Sequence, residues 1–210
     1  MNTNPELPMG YSPVPPGKIA NAVTFLEMRE PPEKITAADT PLALVRLTSS
    51  DLEDYRVLFR LIGEDWMWVS RLEMDDDSVR AILSNPAVEV YALTDGERQI
   101  GLLELDFRVP GECELVFFGL AREAIGKGVG RCLMNEAIAR AWAQPIDRFW
   151  LHTCHFDHPA ALAFYQRSGF TPYALMVEVH DDPRLTGVLP RTAAPHVPLL
   201  DVPRRDCVTG

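Results

Sequence analysis

No apolar run in this chain of 210 residues approaches the ~20 that a membrane-spanning helix needs. No basic region followed by an apolar run opens it, so a signal peptide is not expected either. There is no basic stripe. Lys and Arg number 20 against 30 Asp and Glu, and the resulting net charge of −10 argues against a nucleic-acid partner. That acidity keeps a protein soluble, and it is compatible with a cationic substrate such as an amine. The four cysteines, Cys113, Cys132, Cys154 and Cys207, show no C-x-x-C spacing. Neither a zinc site nor a disulfide framework is therefore suggested. Cys113, Cys132 and Cys154 sit in apolar segments and read as small core residues. Together these features fit a reducing, cytoplasmic setting with no membrane partner. No internal repeat is present.

What is there is unevenly distributed. Residues 1–20 carry Pro5, Pro8, Pro13, Pro15 and Pro16, and read as an extended arm. Residues 183–210 repeat that character with Pro183, Pro190, Pro195, Pro198 and Pro203, and read as an extension that wraps the surface. The two ends are candidates to cover a pocket or an edge strand, and a homodimer is one arrangement they allow. Residues 21–182 form the expected domain.

Within that domain, Val23 to Met28 and Leu42 to Leu47 read as short strands. Ser50 and Glu53 make a capping box in front of a helix with Leu52, Tyr55, Phe59 and Ile62 on one face. Asp75 to Ser84 is a second helix, stopped by Asn85-Pro86. Glu89 to Thr94, the turn Asp95-Gly96 and Gln99 to Val109 read as a hairpin, and Pro110-Gly111 turns it into Glu112 to Leu120. A helix follows with Val129, Leu133, Ala137 and Ala141 on one face. Arg148 to Thr153 is a strand. Asp157 is placed to cap a helix that begins at Pro159 and ends at Gly169. Tyr173 to Val179 is the last strand. From Leu42 on, the order β-α-α-β-β-β-α-β-α-β describes a mixed α+β sheet, antiparallel first and parallel through a βαβ crossover.

The densest signal is Glu114 to Arg131, ELVFFGLAREAIGKGVGR. An apolar strand runs into Gly126, Gly128 and Gly130, and these open directly into a helix. That order sets unsatisfied backbone N–H groups and the positive end of the helix dipole at one point, which suits an anionic phosphate. Glycines let a phosphate approach without a clashing Cβ. Lys127 and Arg131 could add charge, and Val129 completes the loop.

Here the chain resembles the GNAT superfamily of acyl-CoA-dependent N-acetyltransferases. The family's phosphate loop is Gln or Arg, x, x, Gly, x, Gly or Ala. Gly128-Val129-Gly130 falls in register with its end, while Ile125 stands where Gln or Arg is usual. A second signature, F-Y-x-x-x-G-F after an alanine-rich helix, matches Ala161 to Phe170, ALAFYQRSGF. His158 stands where the family often has Asn. The resemblance covers about residues 42–180.

It implies a central mixed sheet of six to seven strands with four flanking helices, acetyl-CoA as acyl donor, and a primary amine as acceptor. The acceptor may be a small molecule or a peptide. The strands Glu112–Leu120 and Arg148–Thr153 would be parallel and splay apart. The backbone near Phe118, Gly119 and Leu120 would bond the pantetheine arm, with His158 also near the cofactor. Tyr165 would protonate the leaving thiolate. Glu114 is the base that related enzymes suggest, and Glu112, Glu104 and Asp106 are further candidates. His152 flanks the thioester and could polarise substrate. Trp66 and Trp68, beside Glu64 and Asp65, could receive an amine.

His152, His155 and His158 share no helical ligand spacing, so no metal is expected. A catalytically silent acyl-CoA-binding module is the alternative from another class. A Cys154/His152 hydrolase lacks a nucleophile elbow. A Rossmann dehydrogenase is disfavoured because a meander, not a first βαβ unit, precedes the glycine loop.

Overall fold

The computed structural model describes residues 4, 6–33 and 41–201. Pro5, Pro203 and Cys207 lie outside them. One sheet of seven strands organises the chain: β1 (Lys18–Met28), β2 (Ala43–Arg46), β3 (Val88–Asp95), β4 (Arg98–Asp106), β5 (Glu112–Leu120), β6 (Arg148–Cys154) and β7 (Thr171–Asp181). The spatial order is β2-β3-β4-β5-β6-β1-β7. Every neighbouring pair is antiparallel except β5 with β6. The meander β3-β4-β5 and the parallel crossover into β6 are as the sequence predicts.

Helices cover both faces. On one side lie α1 (Leu52–Gly63) and α3 (Asp76–Ser84), with the one-turn α2 (Ser70–Glu73) between them. Tyr55, Phe59 and Ile62 of α1 bury against Leu102 of β4 and Val90 of β3. On the other side, α4 (Val129–Trp142) and α5 (Ala161–Arg167) pack Leu133, Met134, Ala137, Ile138 and Tyr165 onto Leu103, Leu105, Leu115 and Leu151. The α4 face is the one its 3.6-residue period predicts. A sixth helix, α6 (Pro183–Thr186), is again a single turn. Four helices are expected from the sequence and six form among the described residues, because α2 and α6 are too short to show a period.

Several local expectations are corrected. The cap of the first helical segment is not Ser50 with Glu53. Asp51 instead accepts from the Thr48 amide at 2.8 Å and from its hydroxyl at 2.7 Å, so a turn of 3-10 helix precedes α1. Asp157 caps no helix. Its carboxylate accepts from the Thr153 hydroxyl at 2.6 Å and the Cys154 amide at 3.0 Å, which closes the loop after β6, and α5 starts only at Ala161. Of the cysteines, Cys113 is in the core, whereas Cys132 and Cys154 are half-buried.

The largest departure is topological. β1 starts at Lys18 and lies between β6 and β7, antiparallel to both. The last strand therefore reaches the sheet only through the first. The proline-rich C-terminal segment folds over this end. Leu189, Ala193, Ala194 and Val197 bury with Ile19, Met67 and Phe156, and the buried Arg184 donates to Asp182 and to the Val197 carbonyl.

Leu26, at the middle of β1, is fully buried. Leu26→Ala should cost about 2–5 kcal/mol in urea unfolding through lost transfer energy and a residual cavity. Leu61→Ala, on the solvent side of α1, should stay within about 0.5 kcal/mol.

Candidate active site

β5 and β6 pair at only three positions, Glu112 with Arg148, Cys113 with Phe149 and Glu114 with Trp150. Beyond Glu114 they part. One cause is visible in β5: Glu104 faces Phe117 while Leu105 faces Leu115, so Val116 is an extra residue, a β-bulge. The bulge turns Phe117 toward α1 and leaves Phe118 on the α4 side.

The gap opens into a cleft of about 1000 Å³. Phe118, Gly119 and Leu120 form one wall, and His152, Cys154 and His158 belong to the other. Gly126, Gly128, Gly130 and Arg131 stand at one end, and Trp66, Trp68 and Tyr165 also line it. Three residues expected at the site, Glu114, Lys127 and Val129, are not in its lining. Val129 packs on the core beneath α4.

The glycine end has the geometry of an anion cradle. Gly126 and Gly128 both have φ of +81°, a conformation that disfavours a Cβ, and a Cβ built on either would meet nothing within 4 Å. In the first turn of α4 the Arg131 and Cys132 amides donate to the Gly128 carbonyl at 3.0 and 3.4 Å, while the Val129 and Gly130 amides have no acceptor among the described residues. Arg131 is held beside them: its guanidinium donates to the Ser168 hydroxyl at 3.1 Å and lies over the Phe164 ring at 5.2 Å. Arg167, which the sequence reading passed over, lines the same cleft. Open space, free amides and two guanidinium groups fit a pyrophosphate.

Gly119 has a different reason to be glycine. A Cβ there would lie 2.4 Å from the Ile62 Cγ2 and 2.9 Å from the Trp68 ring, so α1 and Trp68 sit directly on the strand. Trp68 is wedged between Phe59 and Phe117, with ring centroids at 5.7 and 5.0 Å. Its indole N–H points to Asp157 at 3.4 Å. Trp66 meets His158 and His196 edge-on or tilted, at 5.5 and 5.6 Å.

The carboxylates sort themselves by partner. Glu104 is 1% exposed. It accepts from the Tyr55 hydroxyl at 2.9 Å and from Arg71 at 2.6 Å, a buried trio that ties α1 and α2 to β4. Glu112 is paired with Arg148, and Asp106 with Arg108. Glu114 has no such cation. Among the described residues its ion-pair partner is His152, with Nδ1 3.8 Å from the carboxylate. Burial, with Asp106 and Glu104 on the same face, pushes the Glu114 carboxyl up to about 7. Burial also holds His152 below the ordinary histidine value, so its ring is neutral near pH 7.

Tyr165 is 9% exposed, and its hydroxyl bonds to no described residue. Burial, then the Asp157 charge, keeps its phenol well above the usual range and hence protonated. Cys154 is pushed up to about 11 by burial and stays a thiol, which removes the nucleophile a hydrolase would need. His155 accepts from the Ala22 amide at 2.9 Å and His158 from the Ala160 amide at 3.1 Å, so each ring closes a loop.

The sequence profile of the Acetyltransferase (GNAT) family matches residues 55–170. The chain belongs to that family. Among solved structures, a putative GNAT acetyltransferase from Novosphingobium aromaticivorans DSM 12444 is 18% identical with a TM-score of 0.57, over 81% of this chain and 70% of that one. A GCN5-related N-acetyltransferase from Sphaerobacter thermophilus is 14% identical with a TM-score of 0.58, over 82% and 53%. A functionally unknown conserved protein from Staphylococcus epidermidis ATCC 12228 is 12% identical with a TM-score of 0.55, over 78% and 62%. The chain thus spans less than two thirds of the length of two of these three. A comparison with curated proteins gives no significant match. The GNAT profile takes in the glycine loop and F-Y-x-x-x-G-F, while β1 and β7 lie outside it.

Two outcomes follow for stability. Between about pH 4.5 and 7 the folded Glu114 keeps a proton that the unfolded chain has lost. The native state then binds more protons, so stability falls as pH rises through this window. Glu114→Gln should therefore stabilise the GNAT domain at pH 8, by up to about 3 kcal/mol, and do little at pH 4 in denaturant melts. Arg71→Met should cost about 3–5 kcal/mol at pH 7 by leaving Glu104 buried without its cation.

Proposed function

We propose that this GNAT domain transfers an acetyl group from acetyl-CoA to a primary amine by direct attack on the thioester. The acceptor is a small amine, an amino acid or a protein amino group. The observation that carries the reading is the cleft between β5 and β6, with a glycine cradle at one end and Tyr165 in its lining. The amides of Gly126 to Gly130, with Arg131, hold the pyrophosphate. The bulged backbone of β5 near Phe118, Gly119 and Leu120 pairs with the pantetheine arm as with an added strand.

An amine is mostly protonated at neutral pH and must lose a proton to react. Glu114 accepts it, with the neutral His152 as the relay at the cleft wall. The freed nitrogen lone pair forms the C–N bond as the C–S bond breaks, and Tyr165 gives its phenolic proton to the departing sulfur. The excess proton on the new amide nitrogen leaves to solvent, and the tyrosine is reprotonated from solvent. No part of this scheme calls for a metal, nucleic acid or membrane. A reducing cytoplasm suits the free thiols.

Calorimetric titration with acetyl-CoA tests the foundation. The wild type should bind at micromolar concentration, and Gly128→Glu should lose that binding while keeping a cooperative melt. Absence of wild-type binding would overturn the reading. Binding without thiol release on a broad amine panel would instead leave the silent acyl-CoA-binding module. With turnover in hand, kcat/KM should rise with pH through about 7 as Glu114 ionises, and Glu114→Gln should remove that limb. Tyr165→Phe should lower kcat by roughly 10²-fold or more with the affinity for acetyl-CoA unchanged.

A further inference from the structure

The cleft extends along the paired strands β1 and β7 to side chains that the proposed chemistry does not use. Asn21 of β1 lines it and is 4% exposed. Its Nδ2 donates to the Glu178 carboxylate at 3.1 Å, and its buried Oδ1 has no hydrogen-bond partner among the described residues. A buried carbonyl oxygen left unpaired costs about 1–3 kcal/mol. Glu178 lines the same stretch and forms no ion pair among the described residues, and Asn21 is its one hydrogen-bond donor. The other charges nearby are largely spoken for. Arg71 is neutralised by Glu104, and Lys18 by Asp181 at 2.6 Å. Glu178 is thus the carboxylate of β7 in this lining that pairs with no cation among the described residues.

An unpaired acceptor beside an uncompensated carboxylate is complementary to a group that only donates and carries positive charge. An ammonium, with three N–H donors and no acceptor, is that group. The location is also specific. Val23 faces Cys154 across β1 and β6, and Asn21 lies two positions further along β1, about 7 Å beyond. The Glu178 charge is felt at both Cys154 and His152, so it acts on the same cleft wall from a position apart from Glu114.

We propose that Asn21 and Glu178 form a second cation subsite that holds a distal ammonium of the acceptor, so that the acceptor class is a diamine or polyamine and not a simple monoamine. The proposal rests on the acetyltransferase reading of the same cleft and narrows it. The distal ammonium donates to the Asn21 Oδ1 and to the Glu178 carboxylate, and the far amine is thereby presented to the thioester. Both residues lie outside the stretch matched by the family profile, so the subsite belongs to this chain's own first and last strands.

The test is equilibrium binding to the CoA-saturated protein. Straight-chain α,ω-diamines from diaminobutane to diaminooctane are titrated beside the monoamines of the same carbon number. At least one diamine should bind tenfold or more tighter than its monoamine. Glu178→Gln, a change on an exposed edge strand, should reduce that ratio to near one while the monoamine and CoA affinities stay within twofold. Equal affinities for diamines and monoamines, or an equal loss of both in Glu178→Gln, would overturn the subsite and leave Asn21 Oδ1 to solvent. If the protein does not bind CoA, the acetyltransferase reading itself fails. If it binds CoA and no diamine, only the subsite fails.

Discussion

Three paired positions between β5 and β6 decide what the rest of the molecule can do. Had the two strands stayed hydrogen-bonded past Glu114 and Trp150, the sheet would be closed and the interior filled. Because they separate, backbone groups of β5 that would serve the sheet face an open cleft. The extra residue at Val116 turns Phe117 toward α1, and Gly119 admits Ile62 and Trp68 against the strand. The hydrophobic packing of α1 and the shape of the cleft are therefore set by the same few residues. Loosening one would disturb the other.

The electrostatics follow the same division. Carboxylates on the α1 side of β4 and β5 crowd one another, and most are quenched by arginines that also do structural work: Arg71 for Glu104, Arg108 for Asp106, Arg148 for Glu112. Glu114 is the member of this group left without one. Its high proton affinity results first from burial and then from the neighbouring charges of Asp106 and Glu104. In the cleft lining, Tyr165 is kept protonated by the burial that makes it part of the core. A phenol that keeps its proton and a carboxyl of raised proton affinity both arise from ordinary packing environments.

Much of this was legible in the sequence wherever the determinants are local. The glycine loop opening α4, the F-Y-x-x-x-G-F turn after α5, the hairpin at Asp95-Gly96 and the helical face of α1 depend on residues within a few positions of one another. The positions that misled are those where two local options compete. Ser50 with Glu53 has a good capping spacing, but Thr48 with Asp51 has one as well and forms first along the chain. Asp157 precedes Pro159 as a cap would, yet Thr153 and the Cys154 amide claim its carboxylate. Long-range features left no local trace. Nothing in Lys18 to Met28 says that it lies between β6 and β7. Nothing in the proline pattern of residues 183–197 foretells a third apolar cluster with Met67 and Phe156. Nor does the spacing of Trp66 and Trp68 disclose that the second is clamped between two phenylalanines.

The position of β1 also orders events in time. Lys18 pairs with Asp181 and Val23 with Met176, so the strand made first during synthesis waits for more than a hundred and fifty residues before its second neighbour exists. The meander and α4 lie between the two strands in sequence, and one edge of the sheet stays unfinished until β7 has been made. An apolar ribbon exposed for that long is a standing invitation to pair with the wrong chain. The cleft wall carrying Asn21 and Glu178 thus waits for β7, long after β1 itself has been made.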